Sequence, residues 1–121
     1  EKETVQILED LSDNYSVWLL SNTNPQHIRE EIEKRYAFPH LVEGAVYSFD
    51  VGLRKPDKEI FLTAAKLAGT RPEQSIFIDD VDKNVSAANE VGFTGIHFKS
   101  IEQLREDLVQ MGLIKKEKII R

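Results

Sequence analysis

The chain has no cysteine among its 121 residues. That excludes disulfide frameworks, thiol catalysis and zinc sites built on cysteine. No apolar run approaches the ~18 residues of a membrane span. No secretory signal opens the sequence, since Glu1-Lys2-Glu3 is already polar and helix-like. Basic residues are in deficit: 16 Lys+Arg stand against 21 Asp+Glu, a net charge of −5. A net acidic surface repels phosphate backbones, which argues against a general nucleic-acid binder or a binder of anionic membranes. It leaves room for a small cationic site. Internal repeats, low-complexity segments and linkers are also missing. The expectation is a soluble cytoplasmic protein.

What is present fits an ordinary globular domain. Hydrophobic residues make up 40% and charged residues 31%. One domain of this length buries roughly two thirds of its unfolded surface, enough for a core without staples. The apolar pattern alternates between two periods. Val5, Leu8 and Leu11, with Ile7, follow helical spacing up to Ser12-Asp13-Asn14. Tyr15 to Leu20 is a short, nearly continuous apolar run, which predicts a buried strand with Trp18 in the core. After the polar stretch Ser21 to Asn24, Pro25 opens a helix whose face carries Ile28, Ile32 and Tyr36. Val42 to Phe49 predicts a second strand and Asp50 to Pro56 a loop. A helix from about Asp57 to Ala68 buries Ile60, Phe61, Ala64, Leu67 and Ala68, and stops at Gly69. Ser75 to Ile78 predicts a third strand ending at Asp79-Asp80. A short helix with Val85, Ala88 and Val91 inward ends at Gly92. Thr94 to Phe98 predicts a fourth strand, and Ser100 with Gln103 a capping box for a last helix ending at Gly112. The tail Lys115 to Lys118 reads as a frayed end. Strand and helix in alternation imply an α/β fold: a doubly wound, mainly parallel sheet with helices on both faces.

In such sheets, ligands bind outside the carboxyl ends of the strands. Ser21-Asn22-Thr23 follows the first strand, Lys55 the second and Asp79-Asp80 the third. Each set has a plain explanation: a strand-to-helix turn, a solvated lysine, a helix cap. Two adjacent carboxylates after Ile76-Phe77-Ile78 are harder to dismiss. They repel each other unless they share a cation or retain a proton. Taken together, the sets make chemical sense. A hydroxyl and backbone N–H groups at a helix start hold phosphate oxygens. An ammonium group neutralises developing charge. Hard carboxylate oxygens suit Mg2+, which also takes substrate phosphate as a ligand. That is equipment for phosphoryl transfer. The histidines carry plainer readings: His27 as exposed, His40 as a loop residue after Pro39, His97 as structural.

The series Leu19-Leu20-Ser21-Asn22-Thr23, Lys55-Pro56-Asp57, then Phe77-Ile78-Asp79-Asp80 with Asn84, Ala87-Ala88 and Gly92, resembles the haloacid dehalogenase-like hydrolase superfamily. It is most similar to the sugar-phosphatase-like branch, which includes the phosphatase domain of soluble epoxide hydrolase. The match runs from about residue 3 to about residue 111. The resemblance implies that Ser21 holds phosphate through its hydroxyl and Asn22 through its backbone N–H. It implies that Lys55 steadies nucleophile and phosphate, and that Asp80 binds Mg2+ with Asp79 beside it as a further ligand or supporting carboxylate. Asn84 falls where many members carry another acid.

The sequence departs from the family pattern at one place. The first motif, Asp-x-Asp, which supplies nucleophile and general acid, is absent, as is a cap segment. Residues 1–121 thus correspond to roughly the carboxyl-terminal two thirds of such a core domain. In the family the missing strand lies at the sheet's centre, so the first two strands here and the last two are expected to lack a shared neighbour. The expected partners are a small phosphorylated substrate and a missing amino-terminal segment, or another chain, that completes the sheet. The parent protein is then expected to be a Mg2+-dependent phosphatase, with these 121 residues inactive alone. The alternative is a pseudo-enzyme that binds phosphate or protein. A phospho-acceptor receiver domain fits less well, because it places its acid pair first and its lysine last.

Overall fold

A computed structural model describes residues 2–21 and 42–114. The predicted helix after Pro25 and the tail from Lys115 lie outside the described residues. Helix α1 spans Lys2–Ser12 and strand β1 Trp18–Ser21. Strand β2 covers Gly44–Tyr47 and passes directly into the short helix α2, Ser48–Val51. Helix α3 (Lys58–Leu67) and a 3-10 turn at Pro72–Gln74 lead to β3, Ile76–Asp79. Helix α4 (Asp82–Glu90), strand β4 (Thr94–His97) and helix α5 (Ile101–Gln110) complete the order.

All the pairing among the described residues is parallel. β1 lies on β2 with Trp18 opposite Gly44, and β3 on β4 with Asp79 opposite His97. These are two separate two-stranded sheets. Among the described residues no ladder joins the first pair to the second.

The β3–β4 pair shows why the fold is doubly wound. Side chains alternate along a strand. Phe77 faces one way, into a cluster with Ile60 and Phe61 of α3 and Val85, Ala87 and Ala88 of α4. Phe61 meets Phe77 edge-on at 4.9 Å and Phe93 at 5.9 Å, the geometry that aromatic quadrupoles favour. Ile78 and Ile96 face the other way, into a cluster with Ile7 of α1, Leu104 and Leu108 of α5, and Ile114. Helices therefore cover both faces of this pair. Leu20 of β1 reaches the α3–α4 cluster, so the two sheets border one core.

Some expectations shift. The second strand stops at Tyr47, because Ser48–Val51 turns into a helix where strand and loop were expected. The first strand starts at Trp18, because Tyr15 still donates its backbone N–H to Leu11 in the last turn of α1. Trp18 is half-buried, with its indole N–H donated to Ser16 Oγ at 2.9 Å. On α3, Ala65 is buried and Leu67 is 54% exposed, so the core face centres on Phe61 and Ala65 rather than reaching Leu67. On α1, Ile7 is buried, while Val5, Leu8 and Leu11 are half-buried. The capping box on Ser100 forms: Ser100 Oγ accepts from the Gln103 N–H, and Gln103 Oε1 accepts from the Ser100 N–H.

Candidate active site

The site grows from the carboxyl end of β3. Asp79 is the last residue of that strand and shares its face with Phe77, so its carboxylate points toward the side covered by α3 and α4. Lys55, on the loop between α2 and α3, brings its Nζ to 2.9 Å from Asp79 Oδ2. The Lys55–Pro56 peptide is cis. The two side chains are only 12% and 9% exposed. The lysine stem lies over the Phe77 ring, with Nζ 5.6 Å from its centroid.

Two more donors hold the same carboxylate. Asn84, the one buried polar residue among those described, donates Nδ2–H to Asp79 Oδ2 at 2.9 Å. The Val81 N–H donates to Oδ1 at 3.1 Å, closing an Asx turn across the β3–α4 junction. Burial pushes the Asp79 carboxyl up. The hydrogen bonds from Lys55, Asn84 and Val81, with the lysine charge, outweigh it and bring the group down from 3.8 to about 2. Asp79 is therefore an ionised carboxylate with both oxygens engaged.

Asp80 differs from its neighbour. It is exposed, and among the described residues no side chain bonds its carboxylate. Its backbone carbonyl is engaged instead: His97 Nε2 lies 3.1 Å from that oxygen. The backbone of Ser21 ends β1 opposite Tyr47. Asn22 lies outside the described residues. The structure thus joins Lys55 and Asp79 directly and sets Asp80 next to them.

The described residues contain no group of three or more His, Asp or Glu side chains able to enclose a metal. Mg2+ does not require one, because it keeps several waters and binds through one or two carboxylates with substrate phosphate. An exposed, unbonded carboxylate at Asp80 beside an ionised one at Asp79 is a donor set that fits it.

Sequence reasoning gave His97 no role in the site. The signal was available: the rule applied to the first three strands, asking what stands at the carboxyl end, picks out His97 on the fourth.

A family model described as haloacid dehalogenase-like hydrolase matches residues 2–92. The chain belongs to that family. Flavin mononucleotide hydrolase 1 of Arabidopsis thaliana is 40% identical over 100 residues, 83% of this chain and 37% of that protein. Glyceraldehyde 3-phosphate phosphatase of Methanopyrus kandleri is 30% identical over 66 residues, 54% of this chain and 28% of that protein. The chain thus spans well under half the length of either relative. A crystal structure of a haloacid dehalogenase family enzyme from Bacteroides thetaiotaomicron, in complex with magnesium and inorganic phosphate, superposes with a TM-score of 0.73 at 30% identity. It covers 82% of this chain and 52% of that one. These likenesses show the Rossmann-like haloacid dehalogenase fold and its sugar-phosphatase-like branch. No helix among the described residues is long and apolar enough to cross a membrane.

Proposed function

We propose that this chain forms part of a Mg2+-dependent phosphatase-type hydrolase acting on a small phosphorylated metabolite. The observation that carries the proposal is the Lys55–Asp79 pair at 2.9 Å, with the Asp80 carboxylate exposed beside it at the end of β3. A cation next to a free hard-oxygen donor at a strand's carboxyl end is what a phosphoryl group in transfer requires. The named relatives, which hydrolyse flavin mononucleotide or glyceraldehyde 3-phosphate, support a phosphate monoester as the substrate class.

In this reading Lys55, the Ser21 hydroxyl and the Asn22 N–H hold the phosphoryl oxygens. Asp80, supported by Asp79, would hold Mg2+, which when bound neutralises charge on the transferring group. An aspartate outside these 121 residues attacks phosphorus, and the alkoxide of the substrate leaves. Water then cleaves the aspartyl-phosphate. Asp79 keeps the Lys55 ammonium group in place. The 121 residues alone lack the nucleophile and are inactive. The strand that carries it, from the same polypeptide or a second chain, completes the sheet. A cytoplasmic location belongs to this proposal as well. Kinship does not carry a compartment, because the Arabidopsis relative is chloroplastic.

The test is phosphate release from small phosphate esters by the intact protein, with and without Mg2+. Lys55→Ala and Asp80→Asn should each lower the rate by roughly 10²–10³, the usual effect of removing one charge-stabilising group. Near-normal turnover by either variant overturns the assignment. Tight phosphate binding without any turnover by the unaltered protein would favour the pseudo-enzyme instead. That reading is motivated by the one Asp-x-Asp spacing in the sequence, Asp80-Val81-Asp82, which belongs to the acid pair after β3 assigned to metal, so that none is left to supply the nucleophile.

A further inference from the structure

His97 ends β4 directly opposite Asp79 in the parallel register. Its Nε2 lies 3.1 Å from the Asp80 carbonyl oxygen. A carbonyl oxygen can only accept, so Nε2 carries the proton and donates it. The other ring nitrogen faces Asp82 Oδ1 at 3.9 Å, but Asp82 is 78% exposed and that contact is screened by water. The bond to Asp80 is therefore the one with structural weight. The Asp80 carbonyl and the Val81 N–H belong to a single peptide unit. His97 holds its oxygen, and Asp79 Oδ1 accepts from its N–H at 3.1 Å. With a peptide plane tied at both ends, the backbone at Asp80 cannot rotate freely. The direction in which its exposed carboxylate leaves the chain is set from two strands at once.

We propose that His97 is a positioning residue for Asp80, fixing the carboxylate through its backbone. The role rests on the reading of Asp80 as a Mg2+ ligand. Partners one bond removed from a metal ligand typically change metal affinity by 10–100-fold when removed. His97 acts on the peptide rather than the carboxylate, so the lower end of that range applies.

The experiment is calorimetric Mg2+ binding to the intact protein and its His97 variants, with thermal melts alongside. His97→Ala should weaken Mg2+ roughly tenfold. His97→Gln, which offers an amide N–H near the same place, should recover most of that loss. A role confined to stability would lower the melting temperature of both variants and leave the affinity of the folded protein unchanged, which overturns the proposal. If His97→Ala does not fold, ring 15N shifts of the unaltered protein decide. A proton on Nε2 and a response of the ring to added Mg2+ support the role. A ring without that proton, or indifferent to Mg2+, overturns it. Unaltered protein that binds no Mg2+ overturns the site reading and the His97 role together. Protein that binds Mg2+ equally well with and without His97 overturns only the latter.

Discussion

The Lys55–Asp79 pair illustrates how half-burial turns two ordinary charges into one unit. Neither partner could stay in place alone, because a lone charge at this depth loses hydration without compensation. The pair has a consequence for acid stability. Asp79 sits at about 2 in the folded chain against an ordinary 3.8. Above 3.8 both folded and unfolded chains hold an ionised carboxylate, and the stabilisation is complete. Below 3.8 the unfolded chain takes up the proton first. The stabilisation then drains away until the folded group protonates near 2. At 1.36 kcal/mol per pKa unit, the whole effect is on the order of 2 kcal/mol. Lys55→Met removes the strongest of the partners that lower the group, so the carboxyl should titrate higher and that acid-side loss should shrink. A 13C titration of the Asp79 carboxyl carbon reads both. An unaltered protein whose Asp79 titrates at its ordinary value would contradict the geometry.

At the scale of elements, the site depends on how closely α4 lies on β4, since α4 delivers Asn84 to Asp79. Gly95 sets that distance. A Cβ there would stand 2.7 Å from Val85 Cγ1, 2.9 Å from Asn89 Oδ1 and 3.1 Å from the Val85 carbonyl oxygen. The Gly95 N–H also donates to Asn89 Oδ1 at 2.8 Å. Gly95→Val adds a good strand former yet should destabilise by about 1–3 kcal/mol, because the helix backbone must move away. The denaturation midpoint measures it, and an unchanged midpoint would mean that α4 is not held this tightly. The same elements show what a sequence makes legible. The capping box at Ser100 and the ends of α3, α4 and α5 at Gly69, Gly92 and Gly112 are local chemistry, and all appear where expected. The acid pair at the end of β3 was legible too, because strand period and polarity change together there. The burial of Ala65 in place of Leu67 was not, since periodicity finds a helix face but not which neighbours cover it. The place of His97 at a strand's carboxyl end was legible, but its bond was not, because the partner is a backbone carbonyl 17 residues away, which no side-chain pattern encodes.

Across the whole molecule, the two sheets present edges to each other's surroundings. The Glu43 N–H donates to the Val17 carbonyl, and the Phe98 N–H to the Asp79 carbonyl. Alternation along parallel ladders then turns the N–H and C=O of Trp18 and Leu20 away from β2, and those of Ile76 and Ile78 away from β4. Leu20 packs into the same cluster as Phe77, so these edges border one core. Backbone groups bordering a core need partners, and a strand pairing with β1 on one side and β3 on the other supplies them all. It would also end near Ser21 and Asp79, where the proposed nucleophile belongs. Amide hydrogen exchange in the intact protein tests this with internal standards. If such a strand is there, Leu20 and Ile78 should be as protected as Leu19 and Phe77, whose N–H groups point into the observed ladders. If instead Leu20 and Ile78 exchange as freely as loop amides while their neighbours stay protected, the edges are open to water. The nucleophile must then reach Lys55 by some route other than a central strand.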